Sequence, residues 1–350
     1  MKNKVMISIF AAFFLGLSLW NAMEEKVTYS ESERRVLAEM PEFGANFANE
    51  WETYAADHFP MRDWWRSLKS YVDTKIFLKK DYHDIYQADE HLVEMEYPMN
   101  TKMLDYAIEG FEKLEEKYFP EQDVYVAVIP DKNRYLAAES GHLSMDYEIF
   151  SEHISDGMKD ATYVEIADLL SAEDYYYTDM HWKQENIVDV AEHLGKSMGV
   201  QIVTDYEEHV LEVPFQGVYV GQYGQKSATD EIKYLSNNII EELEVEGASE
   251  IYDSEKGHGK DPYELFLSGN QPVVVIKNPK KESGKRLIIF RDSFASSLAP
   301  LLATGYSEVV LVDLRYVNSG LLGELVSFEN AEILFLYSTT MLNQANSLNL

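Results

Sequence analysis

Two short segments of the sequence carry the residue types of a serine nucleophile and its base. Asp179 stands two residues before His181, close enough to turn back and accept the proton on the histidine Nδ1. The histidine Nε2 is then free to take a proton from a hydroxyl group. Ser293 offers such a hydroxyl soon after the apolar run 287–290. Together the two segments supply a nucleophile, a base and an orienting acid, which are the catalytic groups of an acyl-transfer enzyme.

Both segments also have a structural interpretation. Asp and Ser are favoured helix N-caps, so Ser293 could cap the helix that follows it and Asp179 the helix that begins near Lys183. An Asp-x-His pair could instead supply two ligands to a metal ion. The sequence shows no obvious third and fourth ligand, so we expect no metal site and no cofactor.

The elements around these segments predict an α/β fold. Apolar runs with β-branched residues predict strands, and apolar residues at helical spacing predict helices between them. This alternation predicts a parallel sheet covered on both faces, which places the residue after a strand at the edge where ligands bind. The strands are predicted at 124–129, 163–166, 273–276, 287–290, 309–312 and 333–337, and the helices at 103–114, 187–198 and 295–302.

The N-terminal residues predict an export signal. Lys2 and Lys4 precede an apolar run from residue 5 to residue 19, and Trp20 stands at its outer edge. No clean cleavage site follows, so the segment is either an uncleaved signal anchor or a cleaved signal peptide. Either way, the basic start places the rest of the chain outside the cytoplasmic membrane, anchored through residues 5–20 or secreted.

The chain is divided into three parts on this interpretation. Residues 1–23 form the signal, 24–46 a linker, and 47–350 one domain. Within that domain, 47–100 is a helical N-terminal segment with a break near Pro60, and 201–262 is an insertion or lid. Trp64 and Trp65, in the second helix of the segment, are predicted to belong to the core.

Composition excludes several classes of function. The 350 residues include 30 Lys and Arg against 61 Asp and Glu, for a net charge of −31. This balance argues against nucleic-acid binding, which needs a basic footprint. The absence of cysteine excludes disulfides, thiolate-bound zinc, iron–sulfur clusters and thiol nucleophiles.

Four segments stand out in order along the chain. They are Asp57-His58-Phe59-Pro60-Met61-Arg62-Asp63, Tyr177-Thr178-Asp179-Met180-His181-Trp182, Arg291-Asp292-Ser293-Phe294-Ala295 and Val312-Asp313-Leu314-Arg315-Tyr316. With these segments the chain resembles the DHHW family, which is related to the SGNH-hydrolase-like domains of alginate O-acetyltransferases. The resemblance spans roughly residues 33–340.

The resemblance implies a flavodoxin-like SGNH fold and an extracytoplasmic protein that works beside a multi-pass membrane acyltransferase. Such a protein moves acetyl groups onto or off polysaccharide hydroxyls. Ser293 would be the nucleophile, His181 the base and Asp179 its orienting partner. The remaining candidates are substrate or oxyanion contacts, and they are Arg315, Asn270, Trp182 and Tyr177. For Arg315 a simple ion pair with Asp313 stands as the alternative, and for Asn270 a plain turn.

Three departures from the family pattern keep a second function open. Met180 stands where the family signature has its first histidine, Lys183 where relatives often have threonine, and Arg291 where the nucleophile block usually has glycine. An enzyme that forms an acetyl-serine intermediate is the first hypothesis. A non-catalytic scaffold or glycan-binding subunit of an exopolysaccharide assembly is the second.

Overall fold

A computed structural model describes residues 2–23, 27–30, 32–281 and 284–350. The α-helices are α1 (Lys2–Met23), α2 (Phe47–Asp57), α3 (Arg62–Tyr71), α4 (Thr101–Tyr118), α5 (Asn133–Ser140), α6 (Tyr147–Gly157), α7 (Val188–Ser197), α8 (Val218–Tyr223), α9 (Ser254–Gly257), α10 (Ala295–Ala303), α11 (Leu322–Leu325) and α12 (Thr339–Asn343). The strands are β1 (Tyr29–Ser30), β2 (Arg35–Val36), β3 (Ile85–Ala88), β4 (His91–Glu94), β5 (Val124–Ile129), β6 (Thr162–Tyr163), β7 (Glu207–Val210), β8 (Lys233–Ser236), β9 (Glu244–Glu246), β10 (Val273–Lys277), β11 (Arg286–Arg291), β12 (Glu308–Val312) and β13 (Ala331–Ser338).

The chain divides into two compact units. The first unit runs to Tyr86 and also includes residues 218–227, and the second comprises residues 87–217 and 228–350. The segment predicted as an insertion therefore contributes to both units. It also supplies β9, whose residues 244–246 the sequence analysis assigned to the insertion, as an edge strand of the main sheet.

The first unit holds α1, a helix with the length and composition of a membrane span. Its window Lys4–Asn21 has a mean hydropathy of 1.6, and none of the window is buried. A signal sequence has the same properties. Farther along, α2 and α3 are separated at Pro60, as predicted, because proline lacks the N–H that a continuous helix needs. A π-helical turn, Val72–Ile76, extends α3.

The prediction that Trp64 and Trp65 belong to the core is wrong. Their surfaces are 50% and 39% exposed, whereas Ser70 and Thr74 of the same helical stretch are buried. Gln225 donates from its Nε2 to the hydroxyls of Ser70 and Thr74, at 2.7 and 2.9 Å. Because those hydroxyls are paired inside the unit, the helix packs through its polar side and leaves its apolar side in solvent.

The second unit is built on a seven-stranded sheet of order β6-β5-β13-β11-β12-β10-β9. From β6 to β12 the neighbouring strands are parallel. The expectation of a wholly parallel sheet fails at β10, which is antiparallel to both β12 and β9. Only residues 278–285 join β10 to β11, too few for the helical crossover that a parallel connection requires. Strand β6 is also shorter than predicted and ends at Tyr163.

Both faces of this sheet are covered, as the alternating elements predicted. Leu287 and Ile289 of β11 pack in one core with side chains of α7 and α10. Ile288 and Phe290 of the same strand pack in the other core with side chains of α4 and α6. Since alternate residues of a strand face opposite sides, the continuous apolar run of β11 is what a strand buried on both faces needs.

Candidate active site

Ser293 lies in the turn between β11 and α10. Asp292 Oδ1 accepts a hydrogen bond from the Phe294 N–H at 3.1 Å, and its Oδ2 accepts one from the Ser338 N–H, at the end of β13, at 2.8 Å. Asp292 therefore holds the turn against the neighbouring strand. Ser293 is partly exposed, and its hydroxyl is not used as a cap of α10. Its backbone N–H has no acceptor among the described residues, which leaves this donor available to an oxyanion on the Ser293 side of the site.

His181 connects Asp179 to Ser293. Its Nδ1 lies 2.6 Å from Asp179 Oδ1, and its Nε2 lies 2.7 Å from Ser293 Oγ. The same carboxylate oxygen accepts the backbone N–H of His181 at 3.2 Å, which closes the short turn between the two residues. Asp179 is buried, whereas the His181 side chain keeps 12% of its surface exposed. The arrangement matches a nucleophile, a base and an orienting carboxylate.

Aromatic rings fix the plane of the His181 imidazole. The Tyr263 ring stacks on it with 3.8 Å between centroids and 11° between planes, and the Phe294 ring lies at 4.9 Å. Burial raises the pKa of Tyr263, which keeps its hydroxyl protonated, and this hydroxyl lies 3.0 Å from Ser297 Oγ. Sequence reasoning missed Tyr263, because it lies 82 residues from His181 with no motif around it.

A buried carboxylate braces the segment that precedes His181. Asp230 accepts hydrogen bonds from the N–H groups of Tyr177 and Thr178, at 2.7 and 2.8 Å, and from the Thr178 hydroxyl at 2.5 Å. The Thr178 hydroxyl oxygen in turn accepts the Gly217 N–H at 2.8 Å. Gly217 is packed so tightly that an added Cβ would lie 2.4 Å from the Asp179 Cβ. These contacts set the backbone position of Asp179.

Lys132 holds the same segment from the other side. Its buried ammonium donates to the carbonyl oxygens of Leu92, Tyr176 and Tyr177, at 2.6, 2.9 and 3.2 Å. Burial lowers the pKa of Lys132 to about 7, although the charge of Asp179 opposes this shift. No sequence pattern marks Lys132 or Asp230, because each is defined only by carbonyl or amide groups that folding brings to it.

Trp182 was a candidate substrate contact, and the structure corrects this. The side chain is fully buried, so no substrate reaches it. Its indole N–H donates to the Phe294 carbonyl oxygen and to Ser297 Oγ, each at 3.0 Å. Trp182 therefore ties the segment of the base to the segment of the nucleophile.

Tyr177 keeps part of its ring exposed, whereas Tyr175 and Tyr176 are buried. Its ring packs edge-on against the His91 ring, with 4.6 Å between centroids, and Lys183 Nζ lies 4.8 Å from its centre. Of this tyrosine cluster, Tyr177 alone keeps a surface that a sugar ring could meet.

Arg315 and Asn270 are brought together at the ends of β12 and β10. Arg315 forms a two-point ion pair with the buried Asp313, at 2.9 Å from Nε and 2.5 Å from Nη2. Burial alone would lower the pKa of Arg315, but the pairing with Asp313 outweighs it and raises this pKa. Its Nη2 also lies 3.5 Å from Asn270 Oδ1, and Asn270 is exposed. The ion-pair alternative for Arg315 is thus realised, and the amide of Asn270 is the more accessible group.

Arg291, the departure from the family's nucleophile block, is accommodated by burial. Its Nη1 donates to the Asp292 carbonyl oxygen at 3.2 Å and to Ser296 Oγ at 3.0 Å, so it binds the chain on both sides of Ser293. The side chain lies beneath the turn and leaves the hydroxyl of Ser293 accessible to His181. Among the described residues no group of three His, Asp or Glu side chains is arranged to hold a metal ion.

No protein-family model and no curated protein sequence matches the chain. Solved structures do match. A DHHW family protein from Eubacterium siraeum is 17% identical, covers 75% of this chain and 92% of its own, and has a TM-score of 0.59. PatB1 from Bacillus cereus is 16% identical over 74% of this chain and 96% of its own, with a TM-score of 0.54. A structure of PatB1 with a sulfonyl adduct is 17% identical, covers 74% of this chain and 95% of its own, and has a TM-score of 0.55.

These likenesses define the fold. The chain shares its fold with a DHHW family protein and with PatB1, and the predicted α/β class is confirmed: a mainly parallel sheet with flanking helices and a helical N-terminal segment.

Proposed function

We propose that this protein is an acyl-transfer enzyme that moves acetyl groups onto, or off, polysaccharide hydroxyls through an acetyl-Ser293 intermediate. The observation that carries the proposal is the continuous contact from Asp179 through His181 to Ser293, with 2.6 and 2.7 Å between the polar atoms. A serine in contact with a histidine whose other nitrogen is held by a buried carboxylate is the arrangement that activates a hydroxyl for attack on an ester.

In the proposed reaction, His181 carries each proton between Ser293 and the substrates. His181 Nε2 takes the proton of Ser293 as Oγ attacks the acetyl carbonyl carbon, and the oxyanion forms beside the Ser293 N–H. His181 then gives that proton to the departing oxygen of the donor, which leaves acetyl-Ser293. In the second half, an acceptor hydroxyl gives its proton to His181 and attacks the acetyl group. Ser293 is released with the proton returned to Oγ.

The resemblance to the DHHW family supports the choice of acetyl as the acyl group and of a glycan as acceptor. The exposed part of Tyr177 and the exposed amide of Asn270 are side chains suited to a neutral sugar. The acidic balance of the chain favours a neutral glycan over a polyuronate. We further propose an extracytoplasmic location, with α1 as signal anchor or signal peptide and a multi-pass membrane acyltransferase as the acetyl donor.

The first experiment measures acetyl release from p-nitrophenyl acetate by the full chain in detergent. Ser293→Ala and His181→Ala are each expected to lower turnover at least about a thousandfold, since the members of such a triad act as one unit. Ser327→Ala is the matched control, because Ser327 is exposed and precedes β13, at the opposite end of the parallel strands from Ser293. Covalent labelling by a sulfonyl fluoride, located by mass spectrometry, is expected on Ser293.

Parent turnover no faster than that of Ser293→Ala, together with no label on Ser293, would support the scaffold hypothesis instead. Where acetyl-Ser293 forms, adding a neutral oligosaccharide separates the two enzyme activities. Acetyl on the sugar identifies a transferase, whereas free acetate alone identifies an esterase.

A further inference from the structure

Helix α3 of the first unit exposes its apolar side and buries its polar side, the reverse of a helix on the surface of a water-soluble domain. Trp64, Leu68 and Tyr71 recur at helical spacing, and each exposes between 39% and 53% of its surface. A surface helix of a globular protein turns such a stripe toward the core. Here the core side of the helix carries the hydroxyls of Ser70 and Thr74, which are paired with Gln225.

The exposed stripe continues beyond the helix. After the π-helical turn, Phe77 and Leu78 expose 69% and 76% of their surfaces. We call the whole surface the apolar face and define it by Trp64, Trp65, Leu68, Tyr71, Phe77 and Leu78. Six large apolar side chains exposed within residues 64–78 indicate contact with another apolar phase or partner.

The same segment is basic in a strongly acidic protein. Residues 62–80 contain six Lys and Arg, against the two aspartates Asp63 and Asp73, whereas the whole chain has a net charge of −31. Lys69 and Lys75 are exposed. Arg62 and Arg66 line a cavity of 650 Å³ that Trp65 and Lys69 also border, and both arginines contact Glu33. Since Glu33 pairs with both arginines, the positive charge that remains beside the apolar face is that of the exposed Lys69 and Lys75.

We propose that the apolar face lies in the headgroup layer of an anionic lipid bilayer. Aromatic and aliphatic side chains on one side of a helix, with lysines and arginines beside them, are the composition of helices that bind in this layer. The same unit contains α1, which has the length and composition of a membrane span. A bilayer surface is thus within reach of residues 62–80 whenever α1 is inserted.

Charge favours lipid over a second copy of this chain as the occupant. In a symmetric pair the face of one copy would meet the same face of the other, so the lysines of the two copies would repel each other. Anionic headgroups offer the opposite charge. A bilayer also accepts the apolar side chains without needing a complementary pocket.

The test uses the absence of cysteine in this chain, which allows a single nitroxide label to be placed at will. The full chain, as Leu68→Cys or Phe77→Cys, is reconstituted in nanodiscs of equal parts phosphatidylglycerol and phosphatidylcholine. Accessibility of the label to oxygen and to a water-soluble nickel chelate is measured by electron paramagnetic resonance. Glu112→Cys, on the exposed side of α4, is the matched control.

Labels at 68 and 77 are expected to be accessible to oxygen and shielded from nickel, and the label at 112 to be accessible to nickel. Replacing Lys69 and Lys75 with glutamine, or using phosphatidylcholine alone, is expected to lower the docked fraction, by about fivefold in the docked-to-free ratio for each lysine.

Nickel accessibility at 68 and 77 equal to that at 112 would overturn the proposal. Protection that is the same in both lipids would overturn the role of charge, and spin–spin broadening in detergent would identify a second copy as the occupant. Unchanged circular dichroism of each labelled protein confirms that the fold is retained.

Discussion

Gly217 is the position where one methyl group tests the proposed site most directly. A Cβ at this residue would lie 2.3 Å from the Thr178 carbonyl oxygen and 2.4 and 2.5 Å from Asp179 Cβ and Cα. Ordinary contacts between such atoms are about 3.5 Å or longer, so Gly217→Ala must push the two segments apart by about 1 Å. Since Asp179 positions His181, the base moves relative to Ser293. A displacement of this size costs about a hundredfold in rate.

The assay compares turnover of p-nitrophenyl acetate and labelling by a sulfonyl fluoride in Gly217→Ala, in Gly44→Ala and in the parent. Gly44 is the matched control, because its added Cβ would meet a single atom within 4 Å, the Glu42 carbonyl oxygen at 3.9 Å. Neither glycine has a positive φ, so the two substitutions differ in packing and not in backbone strain.

Both measured rates are expected to fall about a hundredfold in Gly217→Ala and to stay at the parent level in Gly44→Ala. The free energy of unfolding of Gly217→Ala should fall by only about 1–3 kcal/mol, the usual cost of overpacking. A folded Gly217→Ala protein with the parent rates would refute the argument that Gly217 sets the position of Asp179.

Three further substitutions test the same site. Asp179→Asn keeps the size of the side chain but loses the charge that holds the His181 Nδ1 proton. Turnover of p-nitrophenyl acetate should therefore fall by about 10³–10⁴-fold, with little change in thermal unfolding. A loss of turnover below tenfold would contradict the orienting role of Asp179. Lys132→Met should abolish a pH dependence of stability. The pKa of Lys132 is lowered from 10.5 to about 7 in the folded protein, so above pH 7 the unfolded chain binds one proton more than the folded chain. The free energy of unfolding of the parent therefore rises with pH, by up to about 1.4 kcal/mol per pH unit. Denaturant unfolding between about pH 7 and 9 should show this rise in the parent and not in Lys132→Met, and parallel curves would contradict the assignment. Tyr263→Leu removes the ring stacked on His181, whereas Tyr263→Phe keeps the ring and loses only the hydroxyl bond to Ser297. Turnover should be about 2–12-fold lower in Tyr263→Leu than in Tyr263→Phe. Equal rates for the two variants would show that the stacked ring does not hold His181 in place.

The sequence alone determined those features that depend on neighbours along the chain. The β-branched run 124–129 forms a strand with the predicted bounds, and the apolar stripe 187–198 becomes α7, which ends at Ser197. The contact of Asp179 with His181 was also foreseeable, since two residues of spacing already place the carboxylate within reach of the ring. These inferences succeed because strand and helix periods, proline and short turns act locally.

Only the tertiary structure decided what lies around that local pair. The hydrogen bond from Ser293 to His181 joins residues 112 positions apart, and Lys132, Asp230 and Tyr263 reach the site from other parts of the chain. The reversed direction of β10 likewise depends on its partners in the sheet.

Helix α3 likewise shows what the sequence alone does not determine. Its periodic apolar stripe predicted a helix, but the period of a stripe does not state which side of the helix is buried. That choice depends on groups distant in sequence, here Gln225, which pairs with the polar side. Local periodicity therefore determined the elements, while contacts between segments far apart in the chain determined which side chains became the site, the core and the exposed face.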